Sequence, residues 1–170
     1  ARWTLRRSAP GSTIWKPEEW GGSIPRGEVH AAWSELATRY RLRLVLCDPR
    51  DWQSEIGDWA LEHGEEVFVE WATYRIVHMH DALIRSKNDL ASGRSTHDLC
   101  PLTEAAAGNA IKVAKPAERY ILGKPAQHQK IDPIMADTLA HEAASIAREA
   151  GWNPDEAGLI YTASSTRTRG

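Results

Sequence analysis

Leu42-Arg43-Leu44-Val45-Leu46-Cys47-Asp48-Pro49 is the stretch on which the fold turns. A short apolar run with a single Arg inside it, halted at Asp-Pro, reads as a buried strand over residues 42–47. Proline has no N–H to give to a ladder, so it stops the strand at its carboxyl end. Just downstream, Trp52, Ile56, Trp59 and Ala60 recur at helical spacing, and His63-Gly64 closes that helix. Glu66 to Glu70, with Val67, Phe68 and Val69, reads as a second strand. Residues 75–92 then form a longer helix with Ile76, Met79, Leu83, Ser86 and Leu90 on one stripe, ending at Gly93. Upstream, Val29, Ala32, Trp33, Leu36 and Tyr40 mark a helix after Pro25. Strand and helix alternating in this way predict an α/β layer with parallel strands.

The flanks are less regular. Residues 8–25, rich in Ser, Gly, Pro and Trp, read as a loop in which Trp15 and Trp20 are expected to pack into the core. Residues 94–98 read as a short strand and 102–108 as a helical turn of small residues. Ala110 to Ala114 and Arg119 to Leu122 predict a hairpin around Lys115-Pro116. Ile131, Met135, Leu139, Ala143 and Ile146 or Ala147 describe an amphipathic helix from Asp132-Pro133 to about Ala150, with Gly151 past its end. No period continues beyond Trp152. The expected organisation is one domain over 1–151, with 152–170 a flexible tail. The chain opens on Arg2-Trp3-Thr4-Leu5-Arg6, an alternation suited to the middle of a strand, so a fragment of a longer polypeptide is expected.

With 170 residues, 42% hydrophobic and 26% charged, the chain has the composition of one globular domain rather than a disordered one. Its apolar runs are about four residues long, against roughly 20 for a membrane-spanning helix. Two cysteines, Cys47 and Cys100, make no disulfide framework, so an intracellular setting without membrane partners is expected. The net charge of −2 excludes a molecule that is basic all over, but the distribution is uneven. Between Ala105 and Lys130, Lys112, Lys115, Arg119, Lys124 and Lys130 face a single acid, Glu118. Such a surplus suits either a solvated hairpin or a phosphate-binding surface.

The candidate chemistry lies in two Asp-Pro steps, Asp48-Pro49 and Asp132-Pro133. Asp48 stands at the carboxyl end of a predicted strand, where open α/β sheets bind ligands, and Asp132 at the mouth of the last helix. Two carboxylates brought together repel unless a divalent cation lies between them, and hard oxygen donors suit Mg²⁺ or Mn²⁺. Two such ions about 3.5–4 Å apart activate a water and stabilise the leaving oxygen in phosphodiester cleavage. The competing reading is purely structural: Asp followed by Pro is also a good helix cap, contributing roughly 1 kcal/mol. His78-Met79-His80-Asp81 is a poor metal motif, because helical positions two apart do not share a face. His97-Asp98 suits a metal or phosphate contact or a simple strand end. Cys47 reads as a small core residue. Neither a Walker A nor a Gly-x-Gly-x-x-Gly pattern is present.

Taken in order, Leu44-Val-Leu-Cys-Asp48-Pro, Trp52 to Trp59, Leu90-Ala-Ser-Gly93-Arg, His97, Gly108-Asn109-Ala110 and Lys130-Ile-Asp132-Pro-Ile-Met-Ala136 resemble the carboxyl-terminal nuclease domain of tailed-phage terminase large subunits. The resemblance spans about 120 residues. It implies a ribonuclease-H-like mixed sheet flanked by helices, and a metal-dependent endonuclease that cuts concatemeric double-stranded viral DNA during packaging. It further implies Mg²⁺ or Mn²⁺ as cofactor. Its implied partners are the ATPase domain of the same polypeptide, a portal protein, a small terminase subunit and double-stranded DNA, all in the host cytoplasm. The family's second and third metal-binding acids fall on Asp48 and Asp132. Asp137, about 140° around the helix from Asp132, is poorly placed as an extra ligand. The family's first acid, an Asp on the opening strand, has no counterpart before Asp48. The expectation is therefore that the first strand or strands are missing here, and that this chain alone cleaves weakly or not at all. Lys112, Lys115, Arg119, Lys124 and Lys130 would then hold the DNA backbone without reading sequence. Alternatives are another ribonuclease-H-like nuclease, such as a junction resolvase, and a non-catalytic DNA- or portal-docking module.

Overall fold

The computed structural model describes residues 14–96 and 100–153. Its elements are α1 (Arg26–Arg39), β1 (Val45–Cys47), α2 (Gln53–His63), β2 (Phe68–Glu70), α3 (Ile76–Ala91), α4 (Pro101–Asn109), β3 (Ile111–Lys115), β4 (Arg119–Gly123) and α5 (Asp132–Glu149). The loop ahead of α1 contains one 3-10 turn, Pro17–Trp20. The sequence-predicted tail beyond residue 153 and the residues 97–99 at the end of the predicted short strand lie outside the described residues.

β1 and β2 pair in parallel, with Val45 opposite Phe68, Leu46 opposite Val69 and Cys47 opposite Glu70. The strand–helix–strand rhythm led to this arrangement, but β1 begins three residues later than its apolar pattern. The reason lies in its partner. Val67 and Phe68 both give their N–H groups to the Gly64 carbonyl, at 3.0 and 3.1 Å, as the chain turns out of α2. No extended residues remain there to pair with residues 42–44. Gly64 itself has φ +121°, a conformation side chains resist, which is why a glycine ends α2.

Two apolar clusters hold these elements together. In the first, Val29 of α1, Ile56 and Trp59 of α2 and Phe68 of β2 are buried, with Trp15, Trp33 and Trp52 packed around them. In the second, Leu46 of β1 meets Leu139 and Ala143 of α5, flanked by Leu44, Val69 and Trp71. The stripe predicted for α3 is buried at Met79, Leu83 and Ser86, but Leu90, one residue from the end of the helix, is 39% exposed. Trp20, expected in the core, is 44% exposed: the 3-10 turn carries it away from the cluster that takes Trp15.

β3 and β4 form an antiparallel hairpin, with Lys115 opposite Arg119. Among the described residues the strands make two separate two-stranded sheets, not the single mixed sheet that the resemblance implied. The hairpin is held to α3 instead. His80 Nδ1 accepts the Tyr120 N–H at 3.1 Å, and the two rings meet edge to face at 5.0 Å. That occupies one ring nitrogen of His80, while the His78 ring lies against Trp71, so the pair has structural contacts rather than a shared ligand. No helix among the described residues is long and apolar enough to cross a membrane.

Charged contacts tie α3 to α5. Arg85 Nε donates to the buried Glu142 at 2.9 Å. Asp89 accepts from Arg94 Nε at 2.8 Å, and His141 Nε2 lies 3.0 Å from its other oxygen. The Arg94 hydrogen bond, and after it that of His141, holds the Asp89 pKa below the ordinary 3.8. A carboxyl depressed on folding stabilises the fold above its unfolded pKa and loses that contribution as pH falls through the folded value. The Asp89 contribution is therefore complete at neutral pH and is lost below pH 3.8. Urea unfolding of Asp89→Asn across a pH series should show less acid destabilisation than the parent. An unchanged acid limb would contradict this role.

Candidate active site

The carboxyl ends of β1 and β2 lie side by side, so the loops leaving them are neighbours. Trp71 N–H bonds the Cys47 carbonyl at 2.7 Å and carries the ladder one step past β2. Beyond β1, the Trp52 N–H closes a turn on the Pro49 carbonyl at 3.1 Å, and Asp51 takes a φ of +65°. Arg26 braces this turn from α1. Its guanidinium donates to the Asp51 carbonyl at 2.8 Å and lies 4.8 Å from the centre of the Trp52 ring.

Asp48 is thereby fixed at the strand end, half-buried. Its Oδ2 accepts the Thr73 hydroxyl at 2.6 Å. Its Oδ1 is buried and has no hydrogen-bond partner among the described residues. A buried carboxylate oxygen left without a donor is costly, and native structures rarely leave one so without an ion, water or functional reason. Asp132 occupies the first position of α5 and is exposed. Leu139 and Ala143 pack on Leu46, so the helix that begins at Asp132 lies against the strand that ends just before Asp48.

Asp48, Thr73 and Asp132 line one open groove of about 1050 Å³. Its lining is largely apolar, with Leu42 and Leu44 ahead of β1, Leu46 of β1, Ile121 and Leu122 of β4, and Met135 and Leu139 of α5. Four cations, Arg41, Arg43, Arg50 and Lys124, line it as well. Among the described residues no set of three or more His, Cys, Asp or Glu gathers in a way that could hold a metal ion, so the groove presents two carboxylates.

Neither Asp-Pro step caps a helix with its carboxylate. The residue capping α5 is Ile131, with no side-chain cap bond, and Asp132 is already inside the helix. α2 starts at Gln53 after Trp52, well past Asp48, and it too lacks a side-chain cap. Neither aspartate therefore earns its position by capping. Cys47 packs against the first cluster, as expected of a small core residue, and burial pushes its thiol up to about 12. His97 and Asp98 lie outside the described residues.

Of the five basic residues singled out from the sequence, only Lys124 is among the groove's lining residues. Lys112 and Lys115 are on β3 and Arg119 on β4, away from that lining. The Lys112 ammonium lies 4.7 Å from the centre of the Tyr120 ring. Lys115 and Arg119 are directly opposed across the hairpin, a like-charge pairing that disfavours the ladder by roughly 0.2–1 kcal/mol. Lys130 is exposed in the connector before α5, where its carbonyl accepts Asn109 Nδ2 at 3.1 Å. Sequence reasoning missed Arg41, Arg43 and Arg50. The Arg-Leu-Arg-Leu alternation over 41–44 was read for its strand pattern alone, and nothing in that pattern says that both its leucines and its arginines border one groove.

No protein-family model matches the chain, and no curated protein does. A solved structure does: the crystal structure of the HK97 bacteriophage large terminase superposes with a TM-score of 0.62 at 23% identity, over 72% of this chain. The match takes in 26% of that protein's chain, so this polypeptide corresponds to about a quarter of its length. At that identity the likeness establishes the fold: this chain is folded like one segment of a bacteriophage large terminase.

Proposed function

We infer that the chain is the nuclease portion of a DNA-packaging terminase large subunit, a ribonuclease-H-like domain that cleaves concatemeric double-stranded viral DNA with divalent metal. The observation that carries this reading is that Asp48 and Asp132 line one groove, with Asp48 Oδ1 buried and without a hydrogen-bond partner among the described residues. The donor set fits the ion. Both side chains offer hard carboxylate oxygens, and neither oxygen set is consumed by a helix cap. Mg²⁺ or Mn²⁺ bound there would supply an activated water and charge stabilisation for phosphodiester hydrolysis.

The chain's own residues do the rest. Asp48 and Asp132 hold the ion. Lys124 and the arginines of the groove meet phosphate, and Lys112, Lys115, Arg119 and Lys130 extend that surface along the hairpin and connector. The opposed Lys115 and Arg119 are better tolerated beside phosphate, which offsets their repulsion. Among the described residues the groove offers two carboxylates, so a third ligand would have to come from outside them. The ATPase domain of that polypeptide, the portal and a small subunit are the partners this reading carries with it.

The test is Mn²⁺-dependent cleavage of plasmid DNA by a polypeptide that carries the upstream segment. The reading expects cleavage that is lost in Asp48→Asn and in Asp132→Asn. Cleavage that persists in both variants would contradict it. Neutralising Lys124 and Lys130 together should weaken binding to every duplex alike and reduce the slope of log K against log[salt] by about two. Loss restricted to one DNA sequence would rule out backbone contact.

A further inference from the structure

We propose that Thr73 is a positioning residue for the metal-binding carboxylate: its hydroxyl fixes Asp48 so that Oδ1 is held toward the cation. The inference rests on the metal-site reading above and extends it to a residue outside the acidic pair.

Thr73 lies in the loop after β2, far from Asp48 in sequence, yet its Oγ1 is 2.6 Å from Asp48 Oδ2. An ionised carboxylate only accepts hydrogen bonds, so the single hydroxyl proton must point from Thr73 to Asp48. That leaves Thr73 Oγ1 as an acceptor only, on a residue that lines the same groove. The two oxygens of Asp48 are thus made unequal. Oδ2 is satisfied by Thr73, whereas Oδ1 is buried with no partner among the described residues. A carboxylate serving only the fold would be expected to have both oxygens satisfied. One oxygen clamped and the other left bare is the arrangement expected of a metal ligand oriented by a neighbour.

The clamp is itself well supported. The Trp71 N–H to Cys47 carbonyl bond, at 2.7 Å, ties the loop to β1 just ahead of Asp48. The Arg75 N–H to Ala72 carbonyl bond, at 3.1 Å, closes a turn around Thr73. Threonine is stiff at χ1, so its hydroxyl is delivered with few alternatives. Valine keeps that shape and removes the donor; serine keeps the donor and loses a methyl group.

Mn²⁺ affinity of this chain, followed by electron paramagnetic resonance of the free ion, tests the assignment alongside thermal unfolding. Thr73→Val should bind Mn²⁺ about 10- to 100-fold more weakly, the usual consequence of removing a group that orients a ligand. Thr73→Ser should bind as the parent does. If Thr73→Val binds Mn²⁺ like the parent while Asp48→Asn does not, the Thr73 role is overturned and the metal site survives. If valine and serine weaken binding equally, with matching falls in unfolding temperature, Thr73 is only structural and the proposal fails. If the parent binds no Mn²⁺ at all, the metal reading and this inference fall together.

Discussion

Replacing Asp48 with asparagine is expected to weaken Mn²⁺ binding at least a hundredfold while leaving the fold nearly as stable as before. Opposite unit charges 4 Å apart attract by about 4 kcal/mol at an effective dielectric of 20, and a dication about doubles that. An amide oxygen recovers only part of this, and each 1.4 kcal/mol is tenfold in affinity. Stability should change little because asparagine has nearly the same shape and its amide oxygen still accepts the Thr73 hydroxyl. Asp132→Asn makes an informative contrast. It should weaken Mn²⁺ binding similarly and also cost about 0.3–1 kcal/mol of stability, because an acid is lost from the first turn of α5. Calorimetry and urea unfolding on the same samples separate the two quantities. Unaltered Mn²⁺ affinity in both variants would remove the metal site.

Trp59→Ala is expected to be the most destabilising single truncation in the first cluster, costing about 3–5 kcal/mol. Trp59 is 4% exposed, and its ring centre lies 6.0 Å from those of both Trp33 and Trp52 and 5.9 Å from that of Phe68. Its Nε1 donates to His30 Nδ1 at 3.0 Å, so truncation also strips a donor from that histidine, itself 3.2 Å from Glu62. Against a total stability of about 5–15 kcal/mol, that loss is a large share. The effect should reach the site, because Val45 and Cys47 of β1 and Trp52 of the loop after Asp48 pack on this cluster. Trp20→Ala, at an exposed position, should stay within about 0.5 kcal/mol of the parent. Equal losses in the two variants would contradict the assignment of the core.

The sequence carried the α/β order well because each long element has a clean period. Met79, Leu83 and Ser86 fall on one face of α3, and Leu139 and Ala143 on one face of α5. The hairpin was legible from Lys115-Pro116, although the turn's left-handed residues, Ala117 at φ +58° and Glu118 at φ +56°, lack the glycine or asparagine that usually signals them. Strand length was not legible. The ladder of β1 is cut short by the turn its partner makes at Gly64, a tertiary fact absent from the apolar run itself.

The candidate site was half legible. Asp48 and Asp132 each stood out beside a proline, but only the packing of α5 on β1 places them in one groove. Thr73 carried no signal, since a threonine in a loop gives no hint of the carboxylate it meets. A run of lysines along the chain spreads over a hairpin and a connector in space, while Arg41, Arg43 and Arg50 sit in the groove.

The claim that Asp48 and Asp132 share one cation site is tested most directly by paramagnetic broadening of backbone amide signals during an Mn²⁺ titration of this chain. The amides of Asp48, Arg50, Thr73, Asp132 and Ile134 should broaden together, at the same low ratio of Mn²⁺ to protein and ahead of other acidic surfaces. Broadening that begins around other acids, such as Glu18 and Glu19, and reaches Asp48 and Asp132 only later and separately would contradict a shared site.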